Sequence, residues 1–132
     1  MAPRSPKGLT PLELEIMKVL WASGRAGVQA VREALAPRRK LAYTTVQTML
    51  NVLWRKGRVR RTLKDRAYVY QPVLTRRRAL RQAVGDLVDR LFGGSAESLV
   101  VGLVESRHLT PEALARLTRA LERERKDRDG GR

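Results

Sequence analysis

Leu41-Ala42-Tyr43-Thr44-Thr45-Val46-Gln47-Thr48-Met49-Leu50-Asn51-Val52-Leu53-Trp54-Arg55-Lys56-Gly57 reads as an amphipathic helix with an unusual wet side. At about 100° per residue, Val46, Met49, Leu50 and Leu53 share one face at the i, i+3, i+4, i+7 spacing of a packed helix. The opposite side carries Thr44, Thr48, Asn51 and Arg55, and no carboxylate occurs anywhere in the stretch. A carboxylate there would repel phosphate. Hydroxyls, an amide and a guanidinium can bond phosphates or base edges in a major groove, which has room for one helix. A merely solvated helix face is the competing reading.

Downstream, Gly57 offers a helix C-cap, and Val59-Arg60-Arg61-Thr62 and Tyr68-Val69-Tyr70 read as two short strands around Leu63-Lys64-Asp65-Arg66. A recognition helix followed by a ribbon with Arg60, Arg61, Lys64 and Arg66 on or near its tip is the arrangement of a winged helix-turn-helix. An ordinary hairpin with solvated charges competes, but helix and basic hairpin in succession support each other. Upstream, Thr10-Pro11-Leu12-Glu13 is a capping box with proline at the first helical position, predicting a helix from Pro11 to about Ala22. It has two apolar stripes, Leu12, Ile16, Val19 and Leu20 on one side and Leu14, Met17 and Trp21 on the other, so both faces should be covered. A further helix over about residues 28–36 turns Val28, Val31 and Leu35 inward. Arg38-Arg39-Lys40 then connects to the recognition helix where the turn would face DNA; a solvated loop is the alternative.

The 132-residue chain has a formal net charge of +15. Residues 1–81 hold nineteen Lys and Arg against four acids, whereas residues 82–132 hold nine of each. The basic part is suited to a polyanion, whose binding such a field strengthens without specifying sequence. There is no cysteine, so disulfides and thiolate metal sites are excluded, which fits a reducing cytoplasm; no metal and no cofactor is expected. Residues 1–8 lack an apolar signal core, and no apolar run approaches the roughly 20 residues that span a bilayer, so no membrane insertion is expected.

A second unit starts near Thr75, dividing the chain into residues 1–74 and 75–132. Arg76, Arg77, Arg78 and Arg81 crowd the start of a helix whose Leu80, Val84, Leu87 and Leu91 recur almost as a heptad. Those cations oppose the helix dipole, at roughly 0.3 to 1 kcal/mol each when exposed. Phe92-Gly93-Gly94 breaks the helix, Ser95 caps a second with Leu99, Val100, Leu103 and Val104, and Thr110-Pro111-Glu112 starts a third with Leu114, Leu117 and Leu121. A frayed tail is expected after Arg125. Three helices this short make a poor independent core. A second copy would cover their stripes and place two recognition helices on an inverted repeat; folding back onto the N-terminal unit is the alternative.

Leu14-Glu15-Ile16-Met17-Lys18-Val19-Leu20-Trp21, Ala42-Tyr43-Thr44-Thr45-Val46-Gln47-Thr48-Met49-Leu50, Lys56-Gly57, Arg66-Ala67-Tyr68-Val69-Tyr70-Gln71-Pro72 and Phe92-Gly93-Gly94-Ser95, in this order, resemble the penicillinase-repressor family. That family includes the methicillin-resistance and copper-responsive repressors. The resemblance spans about residues 9–121. It implies a homodimeric winged-helix repressor on a palindromic operator, with a C-terminal three-helix dimerisation domain. It also implies DNA contacts at Tyr43, Thr44, Thr45 and Thr48, with Arg55 nearby and Arg61, Lys64 and Arg66 in the wing, and a dimer interface at Leu87, Leu91, Leu99, Val100, Leu103 and Leu117. A sensor protease or another inducer is the further partner it implies. Departures concern regulation: the Asn-Phe bond cleaved in antibiotic-responsive members is missing from Leu99-Val100-Val101-Gly102-Leu103-Val104, and the cysteine pairs of copper-responsive members are absent. Asp65 stands where relatives often have glycine, a residue type that tolerates the left-handed conformation.

Sequence-specific repression by a dimer is therefore the function expected, with the wing and residues 38–40 on phosphates and Thr44, Thr48 and Asn51 at base edges or groove walls. The alternative is a sequence-independent architectural nucleic-acid binder acting through charge alone; an aromatic content of 5% counts against single strands. No enzyme is expected: His108 has no catalytic partner in view, and Asp86 and Asp89, three apart on a helix, read as solvated or bound to nearby arginine.

Overall fold

The computed structural model describes residues 8–130; the reading of residues 1–7 as lacking a signal core lies outside them. Helix α1 (Pro11–Ser23) begins as its capping box requires. The Thr10 hydroxyl accepts from the Glu13 N–H at 3.2 Å, the Glu13 carboxylate accepts from the Thr10 N–H at 2.8 Å, and Pro11 occupies the first turn. Helices α2 (Val28–Leu35) and α3 (Tyr43–Arg55) complete a helical triad. Ile16, Met17 and Leu20, Val28, Val31 and Leu35, and Val46, Leu50 and Leu53 form one buried core with Val59, Tyr70 and Leu74. Both stripes of α1 are used, and Leu12, Val19, Trp21 and Met49 pack at the margin. The Trp21 indole donates to the Leu74 carbonyl at 2.9 Å, tying the end of α1 to the chain 53 positions later.

Helix α3 stops as Gly57 predicts. With Gly57 at φ 75°, its N–H reaches the Trp54 carbonyl at 3.0 Å and the Arg58 N–H reaches Leu53 at 2.9 Å, a Schellman closure that a β-carbon would strain. The chain then enters the hairpin with the last helical carbonyls satisfied.

The sheet has one strand more than the sequence predicts. Strands β2 (Val59–Lys64) and β3 (Ala67–Pro72) form the expected antiparallel ribbon, and β1 (Ala26–Gly27) adds to the other edge of β3, in the order β1-β3-β2. Ala26 pairs with Tyr70 and Gly27 with Val69. Both hairpin strands run longer than expected, which shrinks the turn to Asp65-Arg66, with φ of 51° and 69°. Two successive left-handed residues match the twist of the strands. Asp65 tolerates that conformation, but for Arg66 it is strained, by roughly 1 kcal/mol. Arg66→Gly is accordingly expected to raise stability by about 1 kcal/mol, read as a rise in melting temperature of several degrees; an unchanged or lower value would exclude strain at the turn.

Helices α4 (Arg76–Leu91), α5 (Ala96–Glu105) and α6 (Pro111–Gly130) follow. Thr75, Ser95 and Thr110 each accept from the backbone N–H three residues on, and Gly93 and Gly94, both at positive φ, separate α4 from α5. In contrast to the frayed tail expected after Arg125, α6 continues to Gly130. Its last turns are Glu, Arg, Lys and Asp, with an Arg128–Glu124 pair at 3.3 Å across one turn, and most of these are good helix formers. The chain separates into two compact units, Met1–Gly85 and Asp86–Arg132, a division that falls within α4. The first turns of α4 belong to the first unit because Ala79 packs on its core.

Candidate nucleic-acid interface

The acid-free side of α3 is open to solvent. Tyr43, Thr44, Thr45, Thr48 and Arg55 are all exposed, and the helix starts at Ala42 with neither a capping side chain nor an acidic residue in its first turn. The N-terminal N–H groups and the positive end of the dipole therefore add to the field of the side chains. Lys56, just beyond the last turn, turns inward. Its ammonium lies 2.8 Å from the carboxylate of Glu13, which is 1% exposed. Burial pushes the Glu13 carboxyl up, but the Lys56 hydrogen bond, the Thr10 N–H, the Lys56 charge and the Thr10 side chain together outweigh it and hold the group below its ordinary value. The residue that caps α1 thus also anchors the end of α3.

Of the basic connection, Arg38 and Lys40 are exposed, while Arg39 reaches back to α1, its Nε 3.3 Å from Glu15. Arg32 braces the same connection by donating to the Leu41 carbonyl at 2.9 Å. In the wing, Arg60, Lys64 and Arg66 are exposed.

Asn51 and Arg61, two of the residues expected to face DNA, are turned toward each other. Arg61 donates from Nη1 to Asn51 Oδ1 at 2.9 Å, and the Tyr70 hydroxyl donates to the same oxygen at 2.9 Å. The Arg61 guanidinium carbon also lies 3.6 Å from the Trp54 ring centroid and 4.1 Å from that of Tyr68. Asn51 is half-buried rather than an open amide on the wet face. The physical reason is strand periodicity: Val59 is buried, so Arg61, two residues on, shares the face that looks at α3, and its cross-strand partner is Tyr70. That alternation was the available signal, and counting cations near the tip passed over it. Trp54 and Lys56 are site-forming residues that sequence reasoning missed; Glu13 was read only as a cap, and Tyr68 and Tyr70 only as part of the wing. A shallow cleft of about 370 Å³, lined by Thr48, Asn51, Trp54, Arg55 and Arg61, lies between α3 and the wing.

The apolar stripes of the later helices remain uncovered. No residue of α4, α5 or α6 is buried. Leu80, Val84, Leu87, Leu91, Leu117 and Leu121 are exposed, and Leu99, Val100, Leu103, Val104 and Leu114 are half-covered. No helix among the described residues is long and apolar enough to cross a membrane.

The family model described as penicillinase repressor matches residues 9–123. The penicillinase repressor of Bacillus licheniformis is 28% identical over 114 residues, covering 86% of this chain and 89% of that protein. The transcriptional regulator BlaI of Mycobacterium tuberculosis is 39% identical over 102 residues, covering 74% and 72%. Among solved structures, the DNA-binding domain of the repressor BlaI matches with 31% identity and a TM-score of 0.48, over 52% of this chain and 83% of that one.

Proposed function

Because this chain belongs to the penicillinase repressor family, we propose that it is a sequence-specific DNA-binding transcriptional repressor that acts as a homodimer on a palindromic operator. The observation that carries this reading is the exposed, acid-free face of α3 beside a basic wing, in a chain of net charge +15. Thr44, Thr45 and Thr48, with Tyr43 and Arg55, enter the major groove. Arg38, Arg39 and Lys40 from the connection and Arg60, Lys64 and Arg66 from the wing hold the phosphates that set register. Arg39 exchanges Glu15 for phosphate on binding. The role requires no catalytic group, metal or cofactor, and its DNA target places the protein in the cytoplasm.

Homodimerisation is supported by the uncovered stripes of α4, α5 and α6. An apolar face of this length on a single chain marks a binding surface. A two-fold pair would turn it into a core and present two copies of α3 to an inverted repeat.

Selection from a random duplex pool at near-physiological salt, with the mass of the protein measured in solution, tests both parts. Enrichment of an inverted repeat by a dimer is the expected result. Tight binding with no enriched sequence would favour the architectural alternative, in which affinity follows salt and not base order. On the recovered operator, Thr48→Ala or Arg55→Ala is expected to lower affinity about tenfold while changing random-duplex affinity far less; equal losses on both duplexes would remove these residues from readout.

A further inference from the structure

The cluster between α3 and the wing has more structure than a contact surface needs. One oxygen, Asn51 Oδ1, accepts from both Arg61 and Tyr70, at 2.9 Å each. Tyr70 is 1% exposed and belongs to the core, so it fixes that oxygen from the inside. The Arg61 guanidinium lies over the rings of Trp54 of α3 and Tyr68 of β3 while it donates to Asn51, so ring contacts and a hydrogen bond hold it together. Three elements thus meet at one side chain: Asn51 and Trp54 from the recognition helix, Arg61 from one wing strand, and Tyr68 and Tyr70 from the other.

We infer that Arg61 and Asn51 form a clamp that sets the distance and angle of the wing against the recognition helix, and that they govern operator recognition as positioning residues. In a winged-helix reader the helix and the ribbon engage neighbouring parts of one duplex, so their separation must match the spacing of groove and backbone. β1 already ties β3 to the body at Tyr70 and Val69, on the edge away from β2, so what is left to fix is the set of the ribbon against α3. The clamp joins it halfway up, at the Arg61–Tyr70 rung of the six-rung ribbon that runs from Val59–Pro72 to Lys64–Ala67. Asn51 suits the role because a single amide oxygen has lone pairs for both donors.

The inference rests on the repressor reading and separates from a DNA-contact role by the sign of one substitution. Asn51→Asp keeps an oxygen that accepts from Arg61 and Tyr70 and strengthens the bond to Arg61. Asn51→Ala removes it. For a clamp, Asn51→Asp binds operator better than Asn51→Ala, which loses about tenfold. For a residue touching bases or phosphate, the added carboxylate repels DNA and the order reverses. The second arm is a double-mutant cycle. Asn51→Ala and Arg61→Ala, each about tenfold weaker, should combine to about tenfold if they act as one unit; a combined loss of about a hundredfold means independent contacts and overturns the clamp.

A DNA-free readout completes the test. In the free protein the Arg61 Nε–H proton resonance is expected to be displaced by the two rings, to stay displaced in Asn51→Asp and to move toward the exposed-arginine position in Asn51→Ala. Identical resonances in wild type and Asn51→Ala would overturn the inference. Failure of the wild type to prefer operator over scrambled duplex would sink the repressor reading instead, and the resonance would still judge the clamp.

Discussion

Leu87→Asp and Leu117→Asp are each expected to leave the protein monomeric and to weaken binding to a two-site operator by about a hundred- to ten-thousandfold. The two leucines are 39% and 51% exposed in the single chain, on helices that bury no residue of their own. A carboxylate at such a position is harmless to a monomer and prohibitive inside a paired apolar face, where it would lose its water without gaining a partner. The large factor arises because a linked second recognition helix binds at high effective concentration, and separating the copies forfeits that advantage while leaving each α3 intact. Solution mass and operator titration read the effect, with a single half-site duplex as control. The half-site affinity should stay within about twofold of wild type, since no residue of the first unit changes. A dimeric mass with undiminished operator binding would show that these faces do not pair.

Lys56→Met is expected to destabilise the first unit by about 3 kcal/mol at pH 7, at the low end for breaking a buried pair because the Lys56 side chain remains 19% exposed. The methylenes are kept, so the loss reports the unpaired Glu13 carboxylate. In the wild type the pKa of Glu13 is depressed. Its contribution is therefore present above the unfolded carboxylate value and lost as pH falls through the folded one. Without Lys56, two of the causes that hold the Glu13 pKa down are removed and it shifts upward, so the variant loses less stability than the wild type as the carboxyl is protonated. The deficit should be largest at neutral pH and narrow toward about pH 4. Urea unfolding at several pH values measures it, and a deficit independent of pH would assign the loss to packing. Because Lys56 follows α3 directly, operator affinity should fall with stability.

The parts of the molecule legible in its sequence are those set by near neighbours. The capping box at Thr10 and Glu13, the stop at Gly57 and the apolar spacing of Val46, Leu50 and Leu53 each need only a turn or two of chain, and each stands as read. The two-residue strand Ala26–Gly27 was beyond reach. It is too short to display an alternation, and it exists because β3, more than forty residues later, offers an edge. Glu13 was read as a cap, and nothing local assigns it a second partner 43 positions away. Asn51 is the instructive case. Helical spacing placed it with Thr44, Thr48 and Arg55, yet whether a side chain at the border of that face meets solvent or the wing depends on the register of Arg61 with Tyr70. The exposed leucines of α4 to α6 were identified as a face; which surface covers them is a property of an assembly, which one chain's pattern does not encode.

The uncovered leucine faces also bear on how long each molecule survives. Pairing would hide them, so the unpaired chain alone would offer the apolar stretches that chaperones and proteases engage. The unpaired fraction grows as the protein becomes scarce. Lifetime would then lengthen with abundance, and a cell that stopped making the repressor would clear the last copies faster than the first. Release of the target genes would follow a threshold in amount and not a gradual dilution, with no dedicated degradation signal required.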